Sequence, residues 1–330
     1  MNKRALPSLR LWQLKYWAFL TGVASTGTKA DLAAALHSSP QPQASEKHCF
    51  NSRRIVSVDM GIRNLAYCVV QRPTGHAAKE PLAVKIWRRM DLLNAHDTPD
   101  PTSLEEEAPN ISTARTGHKN ASILDKAAFL PSTMSRTAYS ITRELLSHEP
   151  DDILIERQRF RSGGAATILE WTIRVNMLES MIWACLETLR SISGTLLFPH
   201  VHSISPKRVA AFWVSGKNVP LHPPLDVFQN GGTAEPLKLA GTGREKIDKG
   251  DKVEIVRSWI RGESDVRLTF DGDASRIAEA FKIPKRNAKI AQQLAGGKLD
   301  DLADCLLQAV AHLRWQDNRT RVHEMLESET

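Results

Sequence analysis

Long apolar runs, cysteine and aromatic residues are all scarce in this chain of 330 residues. No stretch approaches the roughly 20 uninterrupted apolar residues that span a bilayer, so no membrane-spanning helix and no membrane partner are expected. Cys49, Cys68, Cys185 and Cys305 lie 19, 117 and 120 residues apart. That spacing provides no CxxC pair and no zinc-type ligand set, and it excludes a disulfide scaffold. Free thiols in a reducing compartment are the natural reading. Aromatics make up only 6%, against 42% hydrophobic and 25% charged residues, a balance that excludes collagen-like and wholly disordered classes. There is no internal repeat. What remains is a globular chain long enough for one sizeable core plus a smaller unit.

Acidic residues are nearly missing from one end. Residues 1 to 54 hold eight Lys/Arg against Asp31 and Glu46, a local +6 out of the net +7 of the whole chain. A basic arm on a nearly neutral body suits a polyanion, because each Lys or Arg placed on a phosphate releases a condensed counterion. No small-molecule substrate is expected.

Ser38-Ser39-Pro40-Gln41-Pro42-Gln43 opens a linker over residues 38 to 52, between a helical pattern and a strongly apolar run. Residues 94 to 122, with Glu105, Glu106 and Glu107, and residues 217 to 247 lack hydrophobic periodicity and read as surface insertions. Elsewhere the body alternates. Arg54 to Asp59 and Leu65 to Val70 form a hairpin signal, and Leu82 to Trp87 a third strand. Helical spacing follows from Ser132 to Leu146, then an apolar strand from Asp152 to Glu156 and a long helix from Thr167 to Leu189. A strand near Leu196 to Ile204, a helix near Lys249 to Ile260 and a last helix from Asp300 to Trp315 complete an α/β plan, a mixed sheet covered on both faces.

Five acidic residues sit where a core should be closing. Asp59 ends one apolar strand, Glu156 ends another, and Asp300, Asp301 and Asp304 open the last helix. Singly, each has a structural explanation as a turn residue or helix cap. Together they can converge on one crevice, where they would repel unless a divalent cation offsets their charge. Two such ions about 4 Å apart activate a water and stabilise the leaving oxygen of a phosphoryl displacement, which points to phosphodiester hydrolysis. On a helix of about 100° per residue, Asp304 shares a face with both Asp300 and Asp301, so either can pair with it while the other caps the helix. Glu156 is followed by Arg157, Gln158, Arg159, Phe160 and Arg161, a loop suited to phosphates with one ring available to a base. Lys249 and Lys252, and further on Lys282, Lys285, Arg286 and Lys289, are candidates for added phosphate contacts.

The strings Val58 to Tyr67, Ile155 to Gly163, Trp171 to Glu179 and Lys298 to Asp304 together resemble the fungal mitochondrial Holliday-junction resolvases, which carry a RuvC-type, RNase H-like core. The resemblance spans roughly residues 54 to 315. It implies an RNase H-like mixed five-stranded sheet over residues 53 to 316, followed by a C-terminal tail at 317 to 330. It also implies a Mg²⁺-dependent endonuclease, with Mn²⁺ as a substitute, that binds four-way DNA junctions as a homodimer and makes paired, symmetric nicks. The metal and catalytic residues carried over are Asp59, Glu156, Asp304 and one or both of Asp300 and Asp301. Two equivalent strands in the junction are the physical reason for an isologous dimer, to which the helix from Thr167 to Leu189 is a candidate contributor. The expected setting is the mitochondrial matrix, in association with the nucleoid. A non-catalytic DNA-binding protein on the same core is the rival in another class. An actin-like ATPase needs a second glycine-rich phosphate loop, which the sequence does not supply.

Residues 9 to 37 resemble the SAP pattern of two short helices that bind DNA. Leu11 and Leu14 face Leu32 and Leu36 as a small core, with Lys15 and Lys29 toward phosphates, in a unit spanning residues 1 to 37. The competing reading of the same basic start is a mitochondrial targeting peptide, and the two can overlap.

Overall fold

The computed structural model describes residues 9–38, 52–73, 80–93, 128–158, 170–193, 198–215 and 248–327. Both expected insertions, most of the expected linker and residues Arg159, Phe160 and Arg161 lie outside these.

Three β-branched runs build the first half of the sheet. β1 (Ser52–Asp59), β2 (Leu65–Pro73) and β3 (Leu82–Met90) form an antiparallel meander. β4 (Asp152–Glu156) then pairs in parallel with β1, and β5 (His200–Ile204) in parallel with β4. The expected five strands gain a sixth, β6 (Leu268–Phe270), parallel to β3, giving the order β5-β4-β1-β2-β3-β6. With only three residues, β6 is too short for period-2 patterning to announce it.

Period-2 alternation then sorts side chains between two cores. Val56, Val58, Ile153 and Ile155 face α3 (Pro131–Ser147) and α4 (Glu170–Ser193). Ile55 and Leu154 face the other side, and by the same parity so do Ser57, Asp59 and Glu156. That second face is covered by α5 (Pro206–Ser215), α6 (Lys249–Ile260), α7 (Gly272–Lys282), α8 (Ala288–Leu294) and α9 (Leu299–Glu327). Two indoles set the rotation of α9. Trp87 of β3 donates to Leu302 O at 2.9 Å and Trp213 of α5 to Leu307 O at 3.0 Å, both in buried surroundings. Helix phase decides which acid of the first turn faces the sheet, so these bonds matter for the site.

The last helix does not stop near Trp315. It runs on to Glu327, so residues expected as a tail are helical, and they have a task. α1 (Leu11–Leu20) and α2 (Lys29–His37) pack through Leu14, Leu32 and Leu36, joined by Leu20 and by Val322 of α9 in the same cluster. Leu11, by contrast, is an exposed residue. The carbonyls at the end of α1 lack partners within the helix, and the body supplies donors. Asn318 Nδ2 donates to Leu20 O at 2.8 Å, Arg319 Nε to Thr21 O at 3.1 Å and Arg208 Nη1 to Gly22 O at 3.1 Å. The helical pair is therefore docked on the body. Thr28 caps α2, its Oγ1 accepting from Asp31 N at 3.3 Å while Asp31 Oδ2 accepts from Thr28 N at 2.9 Å, a reciprocal box.

Among the described residues no helix is long and apolar enough to cross a membrane.

Candidate active site

Asp59 and Glu156 end two adjacent parallel strands on the α9 face, and their carboxyls act on one another. Burial, then the nearby Glu156 carboxyl, pushes the Asp59 carboxyl well above the ordinary carboxylate range; Asp304 and Asp301 add to the same direction. Asp304 is itself raised to about 6, by burial first and against the pull of Lys252. Asp301 is raised by burial and by its neighbour Asp300. Four acidic groups thus act on one another, with Lys252 drawn to Asp304 and Arg89 to Asp301.

Asp300 carries an ion pair of its own. Its Oδ2 lies 2.5 Å from Lys249 Nζ. Asp301 keeps a buried Oδ2 with no hydrogen-bond partner. Asp300 and Asp301 therefore differ in their partners, Asp300 pairing with the Lys249 ammonium and Asp301 lying 3.8 Å from Arg89 Nε, while Asp300 still acts on both Asp301 and Asp304.

Gln308, one turn beyond Asp304, ties these elements together. Its Nε2 lies 3.1 Å from Ser57 Oγ, 3.2 Å from Val58 O and 3.3 Å from Leu154 O. It thereby anchors the strands that carry Asp59 and Glu156 to the helix that carries Asp304. Sequence reasoning missed Gln308; the one available signal was an amide at i+4 from Asp304 on an otherwise apolar face. Glu179 of α4 accepts from Gln158 N at 3.1 Å and so fixes the chain as it leaves β4.

The basic residues expected on phosphates are distributed unevenly. Lys252 Nζ contacts Asp304 Oδ2 at 2.7 Å, so Lys249 and Lys252 both engage the acidic cluster in this structure. Arg157 is exposed beside it, and Gln158 is half-buried. Lys15 is half-buried on α1 and Lys29 is exposed at the start of α2.

The donor set suits a hard divalent cation. It is all oxygen, it sits at the positive end of α9, and it contains one carboxylate oxygen buried without a donor. Mg²⁺ or Mn²⁺ fits such a set, and Asp59, Glu156, Asp301 and Asp304 are the residues that would hold it.

A second group lies further along α9. Asp152, His202 and His312 bring one ligand atom each within 4.8 Å of one another. Asp152 is already satisfied, with Arg53 Nε at 2.6 Å from Oδ2, Arg53 Nη2 at 3.0 Å from Oδ1 and His202 Nε2 at 2.8 Å from Oδ1. A bidentate guanidinium on the carboxylate, with Arg319 acting on the same group, opposes a further cation. The cluster reads as a buried network joining β1, β4, β5 and α9. Burial acts to raise Asp152, but His202 and Arg53 outweigh it and hold the carboxyl below its ordinary range. Burial, then His202, pushes His312 well below its ordinary 6.5.

These two shifts have the same sign for stability. The unfolded chain protonates His312 below pH 6.5 and Asp152 below pH 3.8, while the folded chain resists both. The contribution of these two groups is accordingly complete above about pH 6.5 and falls as pH drops, at up to ~1.4 kcal/mol per pH unit for each proton involved, while the raised carboxyls of Asp59 and Asp304 act in the opposite direction. His312→Gln is expected to flatten the first limb, between about pH 6.5 and 5. Urea unfolding across that range checks this, and an unaltered pH slope in the variant would refute it.

Fold and site together define an α/β protein of the RNase H-like plan with carboxylates gathered at its central strand ends. A family model described as "Mitochondrial resolvase Ydc2 / RNA splicing MRS1" matches residues 55–322, and the chain belongs to that family. It is 27% identical over 316 residues to "Cruciform cutting endonuclease 1, mitochondrial" of Schizosaccharomyces pombe, covering 94% of both chains. The protein of that name from Saccharomyces cerevisiae is 24% identical over 292 residues, covering 84% of this chain and 72% of its own length. The crystal structure titled as the yeast mitochondrial Holliday junction resolvase Ydc2 superposes with a TM-score of 0.57 at 23% identity, over 97% of this chain and 99% of that one, which establishes a shared fold.

Proposed function

We propose that this protein is a structure-selective DNA endonuclease that resolves four-way junctions by paired, symmetric nicks through two-metal phosphodiester hydrolysis, in mitochondrial DNA recombination and segregation. The observation that carries the reading is the half-buried placing of Asp59 and Glu156 at the ends of adjacent parallel strands, within the influence of Asp301 and Asp304, a grouping whose charge calls for a divalent cation. The relatives' names support the substrate and the compartment. Matrix location and nucleoid association belong to the same proposal.

In this reading Asp59, Glu156, Asp301 and Asp304 hold Mg²⁺, with Mn²⁺ as a substitute. Bound ions of this kind supply water activation and stabilisation of the leaving oxygen at the scissile phosphate. The chain's own residues do the rest. Trp87, Trp213 and Gln308 keep α9 and the two strands in register, so the carboxylates are arranged before substrate arrives. Lys252 and Lys249 swing from Asp304 and Asp300 to phosphate oxygens. Arg157, Gln158, Arg159, Phe160 and Arg161 grip the strand leaving the site, and Lys15 and Lys29 meet a neighbouring arm of the junction as the SAP-like contact. A homodimer presents two such sites to two equivalent strands, and the exposed Trp171 and Ile173 at the start of α4 are a candidate contact for it.

The test compares a synthetic four-way junction with a linear duplex of the same sequence, with Mg²⁺ and with EDTA. Metal-dependent paired nicks in the junction alone are the expected result. The family description also covers RNA splicing, so tight junction or RNA binding without nicks at any metal concentration would instead make this a binding protein on a nuclease fold.

A further inference from the structure

Two turns deliver Asp59 and Asp301 to the site. One, residues 60–64, follows Asp59 at the end of β1; the other, residues 295–298, precedes α9 and Asp301. A single side chain of β3 reaches both. Arg89 Nη1 donates to Gly296 O at 3.0 Å, and Nη2 donates to Arg63 O at 2.9 Å and to Asn64 Oδ1. The third nitrogen, Nε, is buried without a hydrogen-bond partner and lies 3.8 Å from Asp301 Oδ2, itself buried without one.

The backbone makes room for this reach. Gly297 has φ +154°, and a Cβ there would stand 2.5 Å from Arg89 Nη1 and 2.8 Å from its Cδ and Cζ. Any side chain at 297 would push the guanidinium aside. A glycine, a fork that spans two turns and a pair of facing atoms without hydrogen bonds amount to more than a surface arginine finding carbonyls.

We propose that Arg89 is the positioning residue of the metal site: its guanidinium staples the Asp59 turn to the Asp301 turn and stands behind Asp301, ion-paired with it at 3.8 Å but spending no hydrogen bond on it. The inference rests on the metal-nuclease reading above. A lysine cannot replace it, because an ammonium has no planar fork to serve both turns while its charge stays beside Asp301. Groups that orient a metal ligand without touching the metal commonly govern affinity by about 10- to 100-fold. Arg89 touches neither DNA nor the reacting atoms in this account, so its loss should act on metal binding first.

The test titrates the full-length wild type, Arg89→Gln and Arg89→Lys with Mn²⁺ alone, following free Mn²⁺ by electron paramagnetic resonance without DNA. Thermal unfolding, junction affinity in EDTA and the Mg²⁺ dependence of junction cleavage are measured alongside. Both variants are expected to bind Mn²⁺ about tenfold more weakly. The Mg²⁺ concentration for half-maximal cleavage should rise by a similar factor, with junction affinity within about twofold of wild type. A merely structural arginine would lower the unfolding temperature without moving the metal affinity of the folded protein, and that result overturns the proposal. So does an Arg89→Lys protein that binds Mn²⁺ like wild type, since charge alone would then suffice. Should Arg89→Gln fail to fold, Gly297→Ala displaces the guanidinium while keeping its charge and is expected to weaken Mn²⁺ binding likewise; wild-type binding there overturns the staple. Wild type that binds Mn²⁺ but never cuts junctions refutes the nuclease reading and leaves the Arg89 result standing. Wild type that cuts normally beside an unaffected Arg89→Gln refutes only the staple.

Discussion

Asp59→Asn should cut junctions at least ~10³-fold more slowly than wild type, a loss of about 4 kcal/mol of transition-state stabilisation, while binding the junction within about twofold. Binding rests on basic residues that the substitution leaves in place; cleavage rests on a carboxylate that an amide replaces as a poor ligand. The same variant should be more stable than wild type in EDTA. In the unliganded site Asp59 is half-buried near Glu156, with Asp304 and Asp301 adding like charge, and an uncharged amide removes that repulsion. Mg²⁺ should raise the unfolding temperature of wild type, because a ligand bound only by the folded state stabilises it, and should do so far less in Asp59→Asn. Glu156→Gln should behave alike. Loss of cleavage, gain of stability without metal and loss of the metal-induced shift form one signature that a simple folding defect cannot produce. Wild-type cleavage by either variant would remove the two-metal assignment.

The parts of this site legible in the sequence are those set by local periodicity. Alternation in β1 and β4 puts Asp59 and Glu156 on one face, and the apolar residues around each make a carboxylate anomalous there on pattern alone. The first-turn acids of α9 were legible as a group, but not individually. One residue is 100° of helix, and the phase is set by the Trp87 and Trp213 indoles, which come from 215 and 94 residues away in sequence. Arg89 was invisible for the same reason, since it acts through carbonyls of distant segments, and Gln308 showed only its i+4 spacing from Asp304, not the strands it reaches. The helices α5 and α7 were missed although Val209, Phe212 and Trp213, and Ala274, Ile277, Ala278 and Phe281, show helical spacing in the core. Their short lengths, among charged and glycine-containing neighbours, diluted the pattern. The largest departure concerns the N-terminal pair, legible as two helices but not as a docked unit, because the residues that hold it lie near the other end of the chain.

That docking makes Gly22→Ala the single substitution with the largest expected effect on stability. Gly22 has φ +71°, and a Cβ there would stand 2.3 Å from Cδ2 of Trp315 and 2.5 Å from its Cε3. The left-handed backbone costs about 1–2 kcal/mol for a residue with a Cβ, and overpacking against a buried ring about 1–3 more. Relief is blocked on both sides of the indole. Phe212 packs edge-on at 5.8 Å between ring centroids, and moving Gly22 away breaks the Arg208 bond to its carbonyl and strains those from Asn318 and Arg319 to its neighbours. A destabilisation of about 3 kcal/mol is expected, lowering the unfolding temperature by roughly 4–6 °C. Deleting residues 1 to 45 should be worse, since it uncovers the Trp315, Phe212 and Val322 surface, so weakened DNA binding by that truncation would not identify a DNA-binding arm. Lys15→Gln with Lys29→Gln keeps the docking intact and isolates the electrostatic role: unfolding temperature unchanged, and the salt dependence of junction binding shallower by about two. Differential scanning calorimetry and junction affinity across salt concentrations separate the two effects. A Gly22→Ala protein as stable as wild type would mean that α1 leaves the body in solution, and an unchanged salt slope in the lysine variant would remove these two residues from the DNA contact.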